Sequence, residues 1–192
     1  MLLHGASAGA EERLVDLTTV APSIRVDLRY ASTRNVVGRV MYTHARCYLR
    51  EPVAKKLAAV QAALQREQLG LLVWDCYRPR AVQAQLWAVA PDRRYVADPK
   101  RGSRHNRGAA IDLTLVDSEG HPLTMPTDFD DLSVRAYRDA ETTPEAAKHR
   151  ARLQAAMEPQ GFLPLSTEWW HFDDAAWRSY PLVDTPFERL GP

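Results

Sequence analysis

The stretch Leu-Leu-Val-Trp-Asp-Cys-Tyr-Arg-Pro, residues 71–79, does most to decide the fold. Its first four residues are apolar, and a short apolar run of this kind is typical of a strand buried in the middle of a sheet. Pro79 has no amide hydrogen to donate to a neighbouring strand, so the strand must end before it. Arg78 is therefore predicted to lie in a turn at the end of a central strand.

Periodicity and turn residues predict the elements on either side of this strand. The expected elements are a half-buried strand over 24–30, a helix from Pro52 that Gly70 caps, a helix over 81–89, a long surface loop over 91–107, a strand over 109–116, a helix from Thr143 and Pro144 to Gly161, and a strand over 167–173. Strands and helices do not alternate strictly along this order. We therefore expect an α+β fold, with a central, mostly antiparallel sheet flanked by helices.

Length and composition favour one globular domain, predicted over residues 14–192, after a flexible N-terminal segment over residues 1–13. The chain has 192 residues, of which 45% are apolar, enough for a substantial core. The net charge of +1 gives no general attraction to nucleic acid or anionic lipid. No apolar run approaches the roughly 20 residues of a membrane span. Oligomeric state is left open.

The N-terminus and the two cysteines leave the cellular compartment open. Ala6, Ser7 and Ala8 are small, as residues at the cleavage site of an export signal are, but no basic segment precedes them. A flexible start and a shortened export signal both remain, and with them the bacterial cytoplasm and the periplasm. Cys47 and Cys76 would either form a disulfide or remain two buried thiols.

Two histidines and two acids are the candidate catalytic residues. His105 and Asp112 are seven residues apart, and Glu168 and His171 are three apart near the C-terminus. Two imidazoles and one carboxylate are the ligand set of a catalytic zinc site with an open position. A further carboxylate beside it can take a proton from the attacking water and pass it to the leaving amine. The set predicts a zinc hydrolase with Glu168 as general base and acid.

Each of these residues also has a structural interpretation. Asp112 could cap a backbone turn and His105 could be a solvated loop residue, while Trp169 and Trp170 suit core packing or an interface. Residues three apart point to opposite faces of a regular strand, so a bulge or bend is expected between Glu168 and His171.

Arg78 has two possible roles. A guanidinium held on a rigid turn beside a zinc ion could stabilise the oxyanion of a tetrahedral intermediate. Its position alone favours a surface ion pair with Asp75 or another acid.

Several blocks of the sequence, in order, resemble the VanX-type D-alanyl-D-alanine dipeptidases, zinc peptidases related to bacterial D,D-carboxypeptidases. The similar blocks are Asp27–Tyr30, Asp75–Pro79, Ser103–Gly108, Ala110–Leu115, Met125–Asp130 and Glu168–His171. The resemblance covers nearly the whole chain. It implies a Hedgehog/D,D-peptidase-like fold and one Zn²⁺ per chain. It also implies His105, Asp112 and His171 as zinc ligands, and Glu168 as the general base and acid in hydrolysis of D-Ala-D-Ala.

The resemblance also implies roles for residues around the metal. Arg78 would be the arginine that stabilises the transition state, oriented by Asp75. Ser103, Asp130 and Tyr30 would line the substrate pocket, with Asp130 binding the free ammonium of the dipeptide. An acid at one end of a short pocket rejects longer peptides, because a blocked amine would leave a buried charge unpaired.

Two positions depart from the family pattern. Cys76 and Pro126 stand where the family often has glycine, and Pro126 lies in the loop that carries Asp130.

Two other functions share parts of this pattern. A carboxypeptidase or endopeptidase acting on longer peptidoglycan stem peptides would use the same zinc site with a different pocket. A module that binds zinc without catalysis, like the Hedgehog signalling domain, would need neither Glu168 nor Arg78.

Overall fold

A five-stranded sheet lies at the centre of the computed structural model, which describes residues 13–191. The strands are β1 (Leu14–Asp16), β2 (Arg25–Val26), β3 (Tyr48–Arg50), β4 (Leu69–Asp75), β5 (Ala110–Asp117), β6 (Phe162–Pro164) and β7 (His171–Asp174). The central sheet has the order β2-β4-β5-β7-β6, and β1 and β3 form a separate antiparallel pair. Only the β2–β4 pairing is parallel among these strands, so the sheet is mostly antiparallel, as predicted.

Residues 13–191 form four α-helices, two of which pack against the middle strands of the central sheet. The four helices are α1 (Leu17–Val20), α2 (Glu51–Gln65), α3 (Arg80–Val89) and α4 (Pro144–Met157). Helix α2 contacts β4, α4 contacts β5, and the two helices contact each other. Thr143 caps α4 by accepting a hydrogen bond from the Ala146 amide at 3.2 Å. The single α+β domain predicted from the sequence is therefore present within the described residues.

One face of strand β5 points into the hydrophobic core, and the other face points toward a cavity. Its residues alternate between the two faces, as in any strand. Ile111, Leu113 and Leu115 are fully buried in the hydrophobic core, which also contains Leu57 of α2 and Leu153 of α4. Asp112, on the other face, lines a cavity.

Two sequence predictions about elements in the first half of the chain are wrong. The strand predicted over 24–30 is only Arg25–Val26, because the chain turns into a short 3-10 helix at Arg29–Ala31. Gly70 does not cap α2, which ends at Gln65. Gln68 takes the left-handed conformation that reverses the chain, with φ of 58°, and Gly70 pairs with Val116 inside the sheet.

Cys47 and Cys76 form a disulfide that joins the two sheets. Cys47 directly precedes β3 and Cys76 directly follows β4, and their Cα atoms are 5.4 Å apart. Both residues are buried. Of the two alternatives that the sequence left open, the structure has the disulfide.

The predicted flexible segment, residues 1–13, lies outside the described residues except for Arg13. Within residues 13–191, no helix has both the length and the apolar character needed to cross a bilayer.

Candidate active site

Register across three strands brings three acidic or basic side chains into one row. Asp75 of β4 is the Cα partner of Asp112 of β5, and Asp112 is the partner of His171 of β7. Residues directly opposite each other in antiparallel strands point to the same face. The row therefore lies on one face of the sheet, at the end of the central strands.

A short 3-10 turn, His105–Arg107, adds the fourth side chain. Gly108 ends the turn with φ of 66°, a conformation that glycine adopts at no steric cost. The His105 carbonyl accepts a hydrogen bond from the Arg78 amide at 3.2 Å, and the Asn106 side chain donates to the Arg78 carbonyl at 2.6 Å. These contacts fix the turn to the chain that follows β4.

His105, Asp112 and His171 converge on a common point. One ligand atom from each lies within 4.8 Å of the others, and all three residues are buried. Nε2 of His105 is 3.2 Å from Nδ1 of His171 and 3.3 Å from Oδ2 of Asp112. Nδ1 of His171 is 2.9 Å from Oδ1 of Asp112.

The other ring nitrogen of each histidine has its own partner. Nδ1 of His105 is 2.7 Å from the Cys76 carbonyl oxygen, which can only accept, so this nitrogen carries a proton. Nε2 of His171 is 3.0 Å from Oδ1 of Asp173. Each imidazole therefore presents its remaining nitrogen to the common point, as histidine ligands of metals do. Two imidazole nitrogens and one carboxylate oxygen fit Zn²⁺.

The local charge balance also favours a cation at this point. Burial alone would raise the pKa of Asp112, but the imidazoles of His105 and His171 lower it below its usual value. Burial disfavours a charged His171, yet Asp173 and Asp112 raise its pKa to about 10. The carboxylates thus attract positive charge, which a divalent metal can supply.

Glu168 lies beside this point, in the turn that leads into β7. Its Oε2 is 3.8 Å from Nδ1 of His171. Burial, together with the negative charges of Asp112 and Asp130, raises the pKa of Glu168 to about 8, although His171 lowers it. The strand predicted over 167–173 begins only at His171. The bend expected between Glu168 and His171 is present as a turn, in which the His171 amide donates to the Glu168 carbonyl at 3.3 Å.

Arg78 is held rigidly on the same side of the sheet. Its Nε and Nη2 donate to Oδ2 of Asp75 at 3.0 and 2.7 Å, and its Nη1 donates to Gln83 at 2.8 Å. The Tyr42 hydroxyl donates to the other oxygen of Asp75. Nη2 of Arg78 is 3.9 Å from Oδ2 of Asp112. The Asp75 ion pair is buried, not on the surface, so the guanidinium is fixed next to the candidate metal ligands.

A cavity of about 560 Å³ opens onto these groups. Its lining includes Arg78, Ser103, His105, Asp112, Glu168 and His171, together with Tyr30, Asp130 and Trp170. The Tyr30 hydroxyl donates to Oδ1 of Asp130 at 3.0 Å, and the Val36 amide donates to Oδ2 at 3.1 Å. Desolvation raises the pKa of Asp130 to about 7 despite these donors. The cavity thus has an acidic group available for an ammonium ion.

Comparison with known proteins agrees with this chemistry. A family model described as D-Ala-D-Ala dipeptidase, of peptidase family M15, matches residues 10–187. The chain belongs to this family. The protein is therefore a peptidase of the M15 metallopeptidase class, and the resemblance to D-alanyl-D-alanine dipeptidases seen in the sequence is confirmed.

Relatives in this dipeptidase family cover most of the chain. The D-alanyl-D-alanine dipeptidase of Escherichia coli K12 is 41% identical over 175 residues, which is 91% of each chain. That of Enterococcus faecium is 32% identical over 181 residues, covering 81% of this chain and 88% of the relative. Among solved structures, VanYB in complex with D-Alanine-D-Alanine has a TM-score of 0.46 and 16% identity, covering 72% of this chain and 78% of VanYB.

The structure brings together every site residue predicted for this dipeptidase-family chain. Tyr30, Arg78, Ser103, His105, Asp112, Asp130, Glu168 and His171 all line one cavity, and Asp75 lies directly behind Arg78. The alternative interpretation of His105 as a solvated loop residue is wrong, because its side chain is buried. Trp169 and Trp170 are also buried, and Trp169 packs edge-on against Trp74 of the core.

Sequence reasoning missed the residues that hold the site residues in place. Asp173 accepts from His171, and its other oxygen accepts from Arg104 at 2.7 Å. Tyr42, which is 33 residues from Asp75 in sequence, donates a hydrogen bond to it. Gln83, in helix α3, accepts a hydrogen bond from Arg78. A signal did exist for Asp173, because it follows His171 by two residues in a strand and must point to the same face.

Proposed function

We propose that the protein hydrolyses D-Ala-D-Ala to two D-alanines with one zinc ion held by His105, Asp112 and His171. The observation that carries this proposal is the convergence of one free nitrogen from each imidazole and one Asp112 oxygen within 4.8 Å, with Glu168 alongside. When bound there, zinc would polarise the scissile carbonyl and lower the pKa of the attacking water toward neutrality.

Glu168 acts as the general base and then the general acid. A pKa of about 8, raised by burial, lets this carboxylate take and return a proton near neutral pH. The distance of 3.8 Å between its Oε2 and Nδ1 of His171, a proposed zinc ligand, supports this role. Glu168 accepts the proton of the water and donates it to the amine of the departing D-alanine.

Arg78 stabilises the negative charge that develops on the carbonyl oxygen. A charged donor that is already held in place needs no reorganisation during the reaction. Asp75 and Gln83 hold three of its nitrogens. The face of the Tyr30 ring lies 5.0 Å from its central carbon, which leaves the guanidinium little room to move.

The acidic end of the cavity selects substrates with a free amine. Asp130 receives the ammonium of the dipeptide. The Tyr30 hydroxyl fixes the carboxylate of Asp130 by donating a hydrogen bond to it. Burial keeps the pKa of Tyr30 well above its ordinary value, so the hydroxyl stays protonated as a donor. A peptide whose amine is acylated would leave Asp130 without a cation, which disfavours longer stem peptides.

Release of D-alanine by the zinc-loaded protein tests the proposal. We expect D-Ala-D-Ala to be hydrolysed, and a chelator to stop the reaction. Glu168→Gln should lower kcat by about 10²–10⁴-fold while the protein still binds zinc, because only proton transfer is lost. The exposed Glu141 offers a control, and Glu141→Gln should leave kcat unchanged.

Three results would count against this function. Equal turnover by the Glu168→Gln variant would refute the assigned mechanism. Preference for N-acyl-D-Ala-D-Ala over the free dipeptide would indicate a carboxypeptidase for longer stem peptides. Zinc binding without turnover of any dipeptide would indicate a binding module.

A further inference from the structure

Six arginines line the cavity, and one of them, Arg78, lies beside the candidate metal site. Five have partners: Arg78 with Asp75, Arg93 with Asp98, Arg94 with Asp92, Arg104 with Asp173, and Arg107 with the Tyr180 carbonyl. These five guanidinium groups therefore already interact with other groups of the protein.

Arg101 is the exception. Among residues 13–191, its side chain makes no hydrogen bond, ion pair or ring contact, although the residue lines the cavity. Its backbone is nevertheless anchored, since its amide donates to the Asp98 carbonyl at 2.9 Å. The backbone of this exposed residue is therefore anchored beside the cavity, while its guanidinium has no partner among the described residues.

The residues after Arg101 keep this segment in place. Gly102 has φ of 76° and packs so closely on Leu182 that a Cβ atom would lie 2.6 Å from the leucine side chain. The Ser103 amide donates to the Asn106 side chain at 2.7 Å. Asn106 also binds the Arg78 carbonyl, so the segment that carries Arg101 is tied to the same turn as His105.

A free dipeptide carries two opposite charges, and the lining of the cavity includes a side chain of the opposite charge for each, Asp130 and Arg101. Its ammonium and carboxylate lie about 5–7 Å apart by backbone dimensions. Asp130 suits the ammonium, but the carboxylate needs a donor that is not already paired. An arginine can bind a carboxylate through two parallel hydrogen bonds. Ser103, two residues from Arg101, lines the same cavity and adds a hydroxyl.

We propose that Arg101 binds the free α-carboxylate of the substrate at the cavity mouth and so restricts hydrolysis to peptides with an uncapped C-terminus. This inference rests on the proposed dipeptidase function and adds a residue that determines its specificity. Arg101 contacts the part of the substrate that does not change charge during peptide hydrolysis. Its effect therefore falls on substrate binding more than on the chemical step.

Kinetics of Arg101→Ala with D-Ala-D-Ala tests the proposal. We expect KM to rise about tenfold with kcat within about twofold of the wild type, as for loss of one charge-assisted hydrogen bond in a half-open site. Lys100→Ala is the matched control, because it removes the same charge from the adjacent exposed residue, which does not line the cavity. It should leave KM unchanged.

The C-terminal amide of D-Ala-D-Ala separates a direct contact from a general effect. Wild type and Arg101→Ala should bind this neutral-ended peptide equally weakly, because the group that Arg101 recognises is gone. Calorimetry with the Glu168→Gln variant, with and without Arg101→Ala, measures the same difference as a dissociation constant without turnover. An unchanged KM in Arg101→Ala, or an equal loss for the acid and the amide, would overturn the proposal.

The two proposals can fail separately. A wild-type protein that binds D-Ala-D-Ala in calorimetry but does not cleave it would refute the dipeptidase function while still testing Arg101 by affinity. If Arg101→Ala hydrolyses D-Ala-D-Ala with the same KM and kcat as the wild type, only the proposed carboxylate contact would be refuted. Absence of any dipeptide binding would overturn both.

Discussion

At the scale of single residues, two groups that do not touch the candidate metal decide which nitrogen each histidine offers it. The Cys76 carbonyl binds Nδ1 of His105 and leaves its Nε2 facing the candidate metal site, whereas the Asp173 carboxylate binds Nε2 of His171 and leaves its Nδ1 facing that site. The two histidines thus present different ring nitrogens to the candidate metal site. A substitution that changes either partner would alter the ligand set without removing a ligand.

We predict that Asp173→Asn weakens zinc binding about tenfold or more, within the 10–100-fold range seen for partners of metal ligands. An amide has the same shape but carries no charge, so it stabilises the His171 ring less and loses the ion pair with Arg104. Competition with a chromophoric chelator measures the zinc dissociation constant directly. Circular dichroism should show an unchanged fold, and an unchanged zinc affinity in this variant would contradict the assigned role.

The site residues differ in how far the sequence could predict them. His105, Asp112, Glu168 and His171 were predictable because two imidazoles and two carboxylates form a recognisable chemical set. The Tyr42 contact with Asp75 was not, because it depends on how a loop between β2 and β3 folds back on the sheet. Partners that are distant in sequence leave no local pattern.

At the scale of elements, the turn that carries His105 depends on Gly108. A Cβ atom there would collide with the Leu14 side chain and lie 3.3 Å from the Arg50 amide nitrogen. The Gly108 carbonyl also accepts a hydrogen bond from that amide at 2.9 Å. Residues of strands β1 and β3 therefore pack closely against this turn and help to hold His105 in position.

We predict that Gly108→Ala lowers the free energy of unfolding by about 1–2 kcal/mol for the left-handed backbone, plus about 1–3 kcal/mol for overpacking. Gly38→Ala is the matched control, since Gly38 has a similar φ of 70° but nothing within 4 Å of its added Cβ atom. Gly38→Ala should lower the free energy of unfolding only by the contribution of the left-handed backbone. Urea unfolding of both variants measures the difference, and equal losses would show that the crowding around Gly108 is relieved without cost.

Element types were predicted better than element ends. Helix α2 followed from apolar residues at helical spacing, and four of them, Val53, Leu57, Val60 and Leu64, are fully buried. Its end was wrong because Gln68, not a glycine, takes the left-handed conformation. The strand predicted over 167–173 started too early, because the short run of residues before His171 fits a strand as well as the turn that it forms.

At the scale of the whole molecule, the disulfide ties the β1–β3 pair to the central sheet. The bond closes a loop with a sequence separation of 29 residues. Cross-linking removes conformations from the unfolded chain, and a loop of this length corresponds to about 3–4 kcal/mol of stability in the chain-entropy model. The cross-link ends at Cys76, whose carbonyl oxygen binds His105.

We predict that reduction of the disulfide, or the Cys47→Ala/Cys76→Ala double substitution, lowers the free energy of unfolding by about 3–4 kcal/mol. Urea unfolding with and without a dithiol measures this, with a thiol count to verify complete reduction. The double variant is the control, because reductant should not affect it. A wild-type midpoint that does not move on full reduction would show that the bond adds no stability.

Pairing of Asp75, Asp112 and His171 across adjacent strands has a consequence for how the protein tolerates insertions and deletions. One extra residue early in β5 would turn Asp112 toward the hydrophobic side, even if the sheet itself survived. Length changes in the exposed turn after β5, at residues 118–119, would leave the alignment intact. The loop between α3 and β5, in contrast, carries the turn with His105. Natural variation in length should therefore accumulate in turns that carry no site residue and be excluded from the paired strands.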